Sequence, residues 1–293
     1  MRFGISGNIE KAELPCVVDR LIKRFQAERT EYVVHDALFP ALRKKIDAAL
    51  LKKTRFVSEK KLTSACDIVI SLGGDGTILR LARSVSSAGK PILGINLGKL
   101  GFLAEVSLEE MDNCLSEILK GEYTVEERSM LETKIGRSVF SQSALNDVVI
   151  NCSGSSRMFS VMTYVNDQYL STFRGDGVIV ATPTGSTAYA LANGGPIVMP
   201  KTDLFLISPI CPHMLTARTV VVPDESVIRF KVDMAPGKVH VAVDGQPQKF
   251  VDAPVEIVIQ KSVRITRLVK RMNTNYYDVL RRKLNWGKDI RIG

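Results

Sequence analysis

Apolar positions recur along this chain in two different rhythms. Over about the first 120 residues, short apolar runs alternate with helix-spaced segments. Residues 2–6 predict a strand, residues 16–28 a helix and residues 32–35 a second strand. The most complete unit follows: residues 66–72 as a buried strand, 73–76 as a turn, 77–87 as a helix and 91–96 as the next strand. Strand, crossover helix and strand within about 30 residues make the βαβ unit of a parallel sheet. Ligands of such sheets gather beyond the carboxyl ends of the strands.

From about Tyr123 helical spacing fades and short β-branched or alternating runs take over, at residues 147–150, 159–165, 177–180, 218–222, 227–232, 239–243 and 255–259. Runs of this kind, punctuated by Gly, Pro, Asn and Asp, predict strands. The fold class expected is therefore an α/β N-terminal domain with a parallel sheet (residues 1–122), followed by a β-rich, sandwich-like domain (123–265). A basic tail (266–293), carrying a short C-terminal helix over residues 275–284, is expected to pack back on the first domain.

Composition narrows the picture. With 45% hydrophobic and 24% charged residues, the sequence has the profile of a globular protein and not of a disordered or fibrous one. The start, MRFGISGNIEKAE, lacks the apolar core of a secretory signal. The most apolar stretch, 197–215, is interrupted by Lys201, Asp203 and prolines, so no membrane span is expected and the setting expected is cytoplasmic. Five scattered cysteines (Cys16, Cys66, Cys114, Cys152, Cys211) form no C-x-x-C pair and suit a reducing compartment, each read as a small buried hydrophobe. Three histidines (His35, His213, His240) supply no zinc pattern, so no metal site built by protein ligands alone is expected.

The formal charge is +9, and +8 of it lies between Lys261 and Gly293. Such a tail is either a footprint for polyanions or a solvated terminal helix, and the second is the expectation, because no nucleic-acid-binding motif accompanies it.

Gly73-Gly74-Asp75-Gly76-Thr77 joins a buried strand to a helix, where free N–H groups and the helix dipole favour an anion. It is neither a Walker A loop nor a G-x-G-x-x-G fingerprint. Asp75 would repel a bare phosphate, so its chemical use is to take a proton or to meet a divalent cation. Alternatively, it caps the helix that follows.

GGDGT after an apolar strand is shared by NAD kinases, lipid kinases and phosphofructokinase-like enzymes. The chain adds further blocks in order: GINLGKLGFLAE (94–105), ALNDVVI (144–150), FRGDGVIVATPTGSTAYALANGGPIV (173–198), ISPICPHMLTARTVVVP (207–223) and VDGQ (243–246). Together these resemble the NAD kinase family over about residues 1–285. The resemblance implies transfer of the γ-phosphoryl group of ATP, or of polyphosphate, to the 2′-hydroxyl of the adenosine ribose of NAD. NAD is then a substrate, and a divalent cation such as Mg accompanies ATP.

Carried to matching positions, the resemblance makes Asp75 the proton acceptor, with Gly73, Gly74, Gly76 and Thr77 forming the phosphate loop and Arg80 a phosphate contact. It makes Asn146 and Asp147 the pair that hydrogen-bonds the dinucleotide. Arg157 and Arg174 become phosphate contacts, and Asp176 meets the nicotinamide end. Thr187, Ala188, Tyr189, Ala190, Leu191 and Ala192 line the adenine side, with Gln246 a further contact. Each has a plainer alternative: Arg80 and Arg157 as solvated charges, Asn146-Asp147 as a turn or cap, Asp176-Gly177 as a hairpin turn, Tyr189 as core. His213 reads as structural. Asn193 and Lys99 depart from or vary within the family pattern, which bears on donor or substrate preference.

The partners implied are NAD and ATP, without nucleic acid or membrane, and the assembly implied is a homodimer or homotetramer. Rival functions are a lipid or other hydroxyl kinase using the same turn, or a non-catalytic dinucleotide sensor.

Overall fold

The computed structural model describes residues 1–136, 141–152, 159–235, 237–272 and 274–286. The chain forms two compact units, Met1–Glu127 with Thr266–Gly293, and Arg128–Ile265.

In the first unit the order is β1 (Arg2–Gly7), α1 (Leu14–Ala27), β2 (Glu31–His35), α2 (Phe39–Leu42), α3 (Ala48–Lys52), β3 (Phe56–Val57), α4 (Glu59–Ser64), β4 (Ile68–Gly73), α5 (Asp75–Val85), β5 (Pro91–Asn96) and α6 (Met111–Leu119). The five strands lie side by side as β3-β2-β1-β4-β5, all parallel. Their near-continuous apolar runs follow from burial, since residues 68–73 of β4 are all buried. Helix α1 shows the complementary pattern, with Leu14, Val17, Val18, Leu21, Ile22 and Phe25 on its buried stripe. Phe25 stacks on Phe3 of β1 with ring centroids 4.9 Å apart. Strand order reverses between β1 and β4, and that switch point is where an open α/β sheet offers a crevice.

The second unit contains β6 (Tyr123–Ile135), which begins in the first, then β7 (Ser141–Ala144), β8 (Asp147–Cys152), β9 (Phe159–Val165), β10 (Gln168–Gly175), β11 (Gly177–Ala181), α7 (Tyr189–Ala192), β12 (Leu204–Ile210), β13 (Val220–Pro223), β14 (Ile228–Val232), β15 (Val239–Val243), β16 (Gln246–Val251) and β17 (Val255–Arg271). One sheet runs β13-β12-β11-β8-β15-β16 and is antiparallel. The other runs β10-β9-β14-β17, with β6 beside β17 and β7 beside β6. Alternating residues of the two sheets, such as Ile228, Phe230 and Val232 against Val239, Val241 and Val243, share one core. The expected class, α/β followed by a β-rich sandwich, is what the fold presents.

The last strand departs from expectation. The sequence marks only residues 255–259, yet β17 continues to Arg271, and Arg267 and Leu268 pair in parallel with Pro91 and Ile92 of β5. Gln260-Lys261-Ser262 hides the continuation because it interrupts the apolar run. The expected solvated terminal helix is therefore corrected: over residues 261–271 the basic side chains sit on a strand, and all but the exposed Arg264 are spent on ion pairs. These are Lys261 with Asp224, Arg267 with Glu127, Lys270 with Glu105, and Arg271 with Glu110 and Glu117. Among the described residues of the tail only α8 (Tyr276–Leu284) is helical, capped by Asn275, whose side chain accepts the N–H of Asp278. Strand β12 was also concealed, here by Pro209 inside it. Three cysteines correct the reading of all five as buried: Cys152 is half-buried, and Cys16 and Cys211 are exposed, the first on the outer side of α1, the second in a turn at φ 44°.

Candidate active site

In the first unit the glycine-rich turn leaves β4 at the switch point and opens α5. Gly74 occupies the N-cap, so Asp75 does not cap its own helix. Its carboxylate reaches a loop about 27 residues further on, accepting the N–H of Phe102 on Oδ2 (2.8 Å) and those of Leu103 and Ala104 on Oδ1 (both 3.0 Å). A Cβ on Gly101 would fall 1.8 Å from Oδ1, so only glycine lets this loop close on the carboxylate. Asn96 shapes the same loop from within, accepting from Gly98 N (2.7 Å) and donating to Lys99 O (2.7 Å). The loop is tied to the turn by Leu97 N, which donates to Gly73 O (3.2 Å). Arg80, one turn along α5, is exposed, and its guanidinium donates to the carbonyl of Gly7 (3.2 Å). Gly73, Gly74, Asp75, Gly76, Thr77 and Arg80 are thus brought together at the carboxyl ends of β1 and β4. A Cβ at Gly74 or Gly76 would meet nothing within 4 Å, which leaves the face of the turn open.

In the second unit Asn146 and Asp147 form the corner between β7 and β8. The buried carboxylate of Asp244 holds that corner, accepting from Leu145 N (3.0 Å), Asn146 N (2.7 Å) and Asp147 N (3.3 Å). Asp147 is buried beside it, and desolvation pushes its carboxyl up to about 7. The charge of Asp244 adds to the shift, and an N–H from Tyr189 opposes it. The loop before α7 is stitched to the corner: Thr182 N donates to Asn146 O (2.9 Å), Thr182 Oγ1 to Leu145 O (2.6 Å), and Gly185 N to Thr182 Oγ1 (3.0 Å). A Cβ on Gly185 would lie 2.0 Å from Asn146 O. Asn146 Oδ1 is buried and has no hydrogen-bond partner among the described residues, an acceptor waiting for a donor.

Tyr189 is 46% exposed and so is not core, Ala190 is fully buried, and Leu191 and Ala192 turn progressively outward. Ala188 is half-buried and caps α7. Thr187 Oγ1 donates to Thr184 O (3.2 Å), which leaves it able to accept. Gln246 follows the Asp244-Gly245 turn, whose φ values of 49° and 71° make it a tight hairpin, and is exposed. Asn193, the departure from the family pattern, braces α7 on β12 by donating to Ser208 Oγ (2.9 Å) and Pro209 O (2.8 Å).

Arg174 and Asp176 are exposed and stand elsewhere in the unit. Asp147 pairs with Ala181 at one end of the β8–β11 ladder and Asn151 with Gly177 at the other, so Asp176, one residue past the far end, lies about 20 Å along the sheet from Asn146. The Asp176 link is no hairpin, because β10 and β11 belong to different sheets. Asp176 bonds the thiol of Cys211, which together with its charge pushes that thiol up. Arg157 lies outside the described residues. Asp244, Gly101 and Gly185 went unmarked as site-builders, because a D-G dipeptide and loop glycines signal turns, not the distant groups they hold. Among the described residues no group of three or more His, Cys, Asp or Glu gathers as a metal cage, and no helix is long and apolar enough to cross a membrane.

This is the architecture of a nucleotide-handling α/β enzyme with an added β-rich unit. Comparison with known proteins narrows the class. A family model described as ATP-NAD kinase N-terminal domain matches residues 8–123, and one described as ATP-NAD kinase C-terminal domain matches 145–271. The NAD kinase of Chlorobium luteolum is 36% identical over 295 residues, covering 100% of both chains. That of Caldanaerobacter subterraneus subsp. tengcongensis is 46% identical over 227 residues, 76% of this chain and 80% of the relative. Among solved structures, yeast NADH kinase complexed with NADH superposes with a TM-score of 0.88 at 25% identity, covering 100% of this chain and 90% of that one. An NAD kinase from Archaeoglobus fulgidus in complex with ATP gives 0.75 at 26% identity, covering 98% and 100%. The chain belongs to the NAD kinase family.

Proposed function

We propose that the chain is an NAD kinase, moving the γ-phosphoryl group of ATP to the 2′-hydroxyl of the adenosine ribose of NAD and releasing NADP and ADP. Family membership over the full length carries the activity, and relatives solved with NADH and with ATP support both substrates. The observation that carries the mechanism is the fixed carboxylate of Asp75. Three backbone N–H groups hold it, two on Oδ1 and one on Oδ2. Oδ2 therefore keeps a lone pair with which to accept the proton of the ribose hydroxyl as O2′ attacks the γ-phosphorus in line and ADP leaves. Positioning and charge neutralisation supply most of the barrier reduction.

A divalent cation fits this site only as one carried by the nucleotide. Magnesium is commonly held by one or two carboxylates together with substrate phosphates and water, and Asp75 is the carboxylate available at the turn. Bound there, it would neutralise phosphate charge. The amides of Gly74, Asp75 and Gly76 and the guanidinium of Arg80 are proposed to face phosphate, with Arg157 and Arg174 as further phosphate contacts. Asn146, Asp147, Thr187 and Gln246 are proposed to hydrogen-bond the dinucleotide. Ala188, Tyr189, Ala190, Leu191 and Ala192 wall its adenine, and Asp176 meets the nicotinamide end. Polyphosphate is an alternative donor.

A cytoplasmic setting is proposed with this reading, in keeping with five free cysteines. A homodimer or homotetramer is proposed as well, in keeping with exposed Leu215 and Val263. The ion pairs of Lys261, Arg267, Lys270 and Arg271 weigh against a nucleic-acid partner, since those four charges are already matched.

The test is to incubate the purified protein with NAD, Mg and ATP or polyphosphate and measure NADP, alongside Asp75→Asn. Full NADP formation by the variant sinks the proposed base. Phosphorylation of a lipid or sugar in preference to NAD sinks the proposed substrate.

A further inference from the structure

The loop whose amides hold Asp75 is itself held by the C-terminal segment of the same unit. Phe102, Leu103 and Ala104 donate to the carboxylate, and Phe102 at one end and Glu105, just past the other, each meet a lysine from residues 266–286. At one end Glu105 is ion-paired with Lys270 of β17, the two side chains only 14% and 11% exposed. At the other, Lys283 of α8 lies over the ring of Phe102, its Nζ 5.7 Å from the centroid. Leu100, Leu103 and Val106 line one cavity together with Val269 and Val279 of the C-terminal segment. Arg271, the neighbour of Lys270, grips Glu117 of α6 at 2.7 Å and fixes the strand that presents the lysine.

We infer that Lys270 and Lys283 are positioning residues for the phosphoryl transfer, holding the 102–104 loop so that its amides aim Asp75. The inference rests on the role proposed for Asp75. A nearly buried ion pair costs desolvation and adds little stability by itself, whereas the orientation it imposes on its neighbours is retained in the folded state. Residues from the last tenth of the chain thereby set the geometry of a residue from its first third.

The test compares kcat and KM for Lys270→Met, Lys270→Arg, Lys283→Met and a control, Arg267→Met. The control breaks another ion pair on the same strand, the more exposed Arg267 with Glu127, away from the loop. Lys270→Met is expected to lower kcat by about tenfold or more, with KM for NAD and ATP within about twofold, since a displacement near 1 Å can cost up to about a hundredfold. Lys270→Arg restores most of the rate. Lys283→Met, half-exposed and tolerant of truncation, lowers kcat by about two- to fivefold. Arg267→Met lowers Tm and leaves kcat alone. Wild-type kcat in either folded lysine variant, a loss confined to KM, or equal losses in Lys270→Met and Arg267→Met overturns the inference. Should Lys270→Met fail to fold, Lys283→Met and Lys270→Arg decide it. Asp75→Asn separates the two claims: if it is active the proposed base falls, and if it is dead while the lysine variants are normal only the positioning role falls.

Discussion

Asp147 and Asp244 lie buried side by side and divide their tasks unequally. Asp244 accepts three main-chain N–H groups, while Asp147 receives one from Tyr189 and keeps its proton far above the ordinary carboxylate range. The first shapes the corner, and the second presents a group whose charge is set by pH.

Stability should therefore depend on pH through Asp147. Its carboxyl is raised from 3.8 to about 7 in the folded protein, so the folded state binds the proton more tightly than the unfolded one. The contribution is complete below about 3.8 and is lost as pH rises through about 7, an effect on the order of 2–4 kcal/mol. Thermal unfolding followed from pH 5 to pH 8, where the carboxyl titrates, should show Tm falling in the wild type and a flatter profile in Asp147→Asn. Superimposable slopes would refute the assignment.

Gly101→Ala should cripple turnover while leaving the protein folded. The new methyl would stand 1.8 Å from Asp75 Oδ1, so either the loop or the carboxylate must move. A fall in kcat of about a hundredfold, with a Tm shift of a few degrees at most, is expected. Steady-state kinetics beside calorimetry reads both.

Gly185→Ala acts on the other unit. Its methyl would meet Asn146 O, a backbone atom with no freedom to swing aside, at 2.0 Å. The corner that presents Asn146 and Asp147 then shifts, raising KM for NAD by about tenfold and costing about 1–3 kcal/mol of stability. An unchanged KM in a folded variant would remove the corner from the binding site.

Asn193→Ala should cost about 1–2 kcal/mol in urea unfolding, the worth of two hydrogen bonds to Ser208 and Pro209 with one partner left partly buried. The change in KM should stay within about threefold if the residue is a brace and not a ligand contact. A large specificity change between NAD and NADH would return it to the site.

Removing divalent cations with EDTA should abolish NADP formation and leave Tm unchanged, because no cage of three or more metal-binding side chains gathers among the described residues. A lower Tm after chelation would reveal a resident structural ion.

Local pattern carried the elements that bury one face or both. The βαβ unit around GGDGT, helix α1 and the alternating strands β14 and β15 are legible because apolar spacing reports burial directly. Strands interrupted by polar residues or proline, such as the second half of β17 and β12, are invisible to it. GGDGT and the long block ending at Val198 nominate candidate residues from the sequence, but not their geometry. That Asp75 is held by residues 102–104, and that Asp244 builds the Asn146 corner, depends on bonds spanning about 27 and about 98 positions.

By itself the sequence determined the chemistry: an acid in an anion-binding turn, the order of the family blocks, and the change from helical to strand rhythm near Tyr123. These are properties of neighbours along the chain, where propensity and spacing act. Only the tertiary structure decided which lone pairs of Asp75 stay free, that burial and Asp244 shift Asp147, and that Lys270 and Arg271 of the basic tail lie on a strand and are matched by acids from α6 and the Asp75 loop. Those outcomes turn on desolvation and on hydrogen-bond geometry between distant segments, which exist only once the chain has closed on itself.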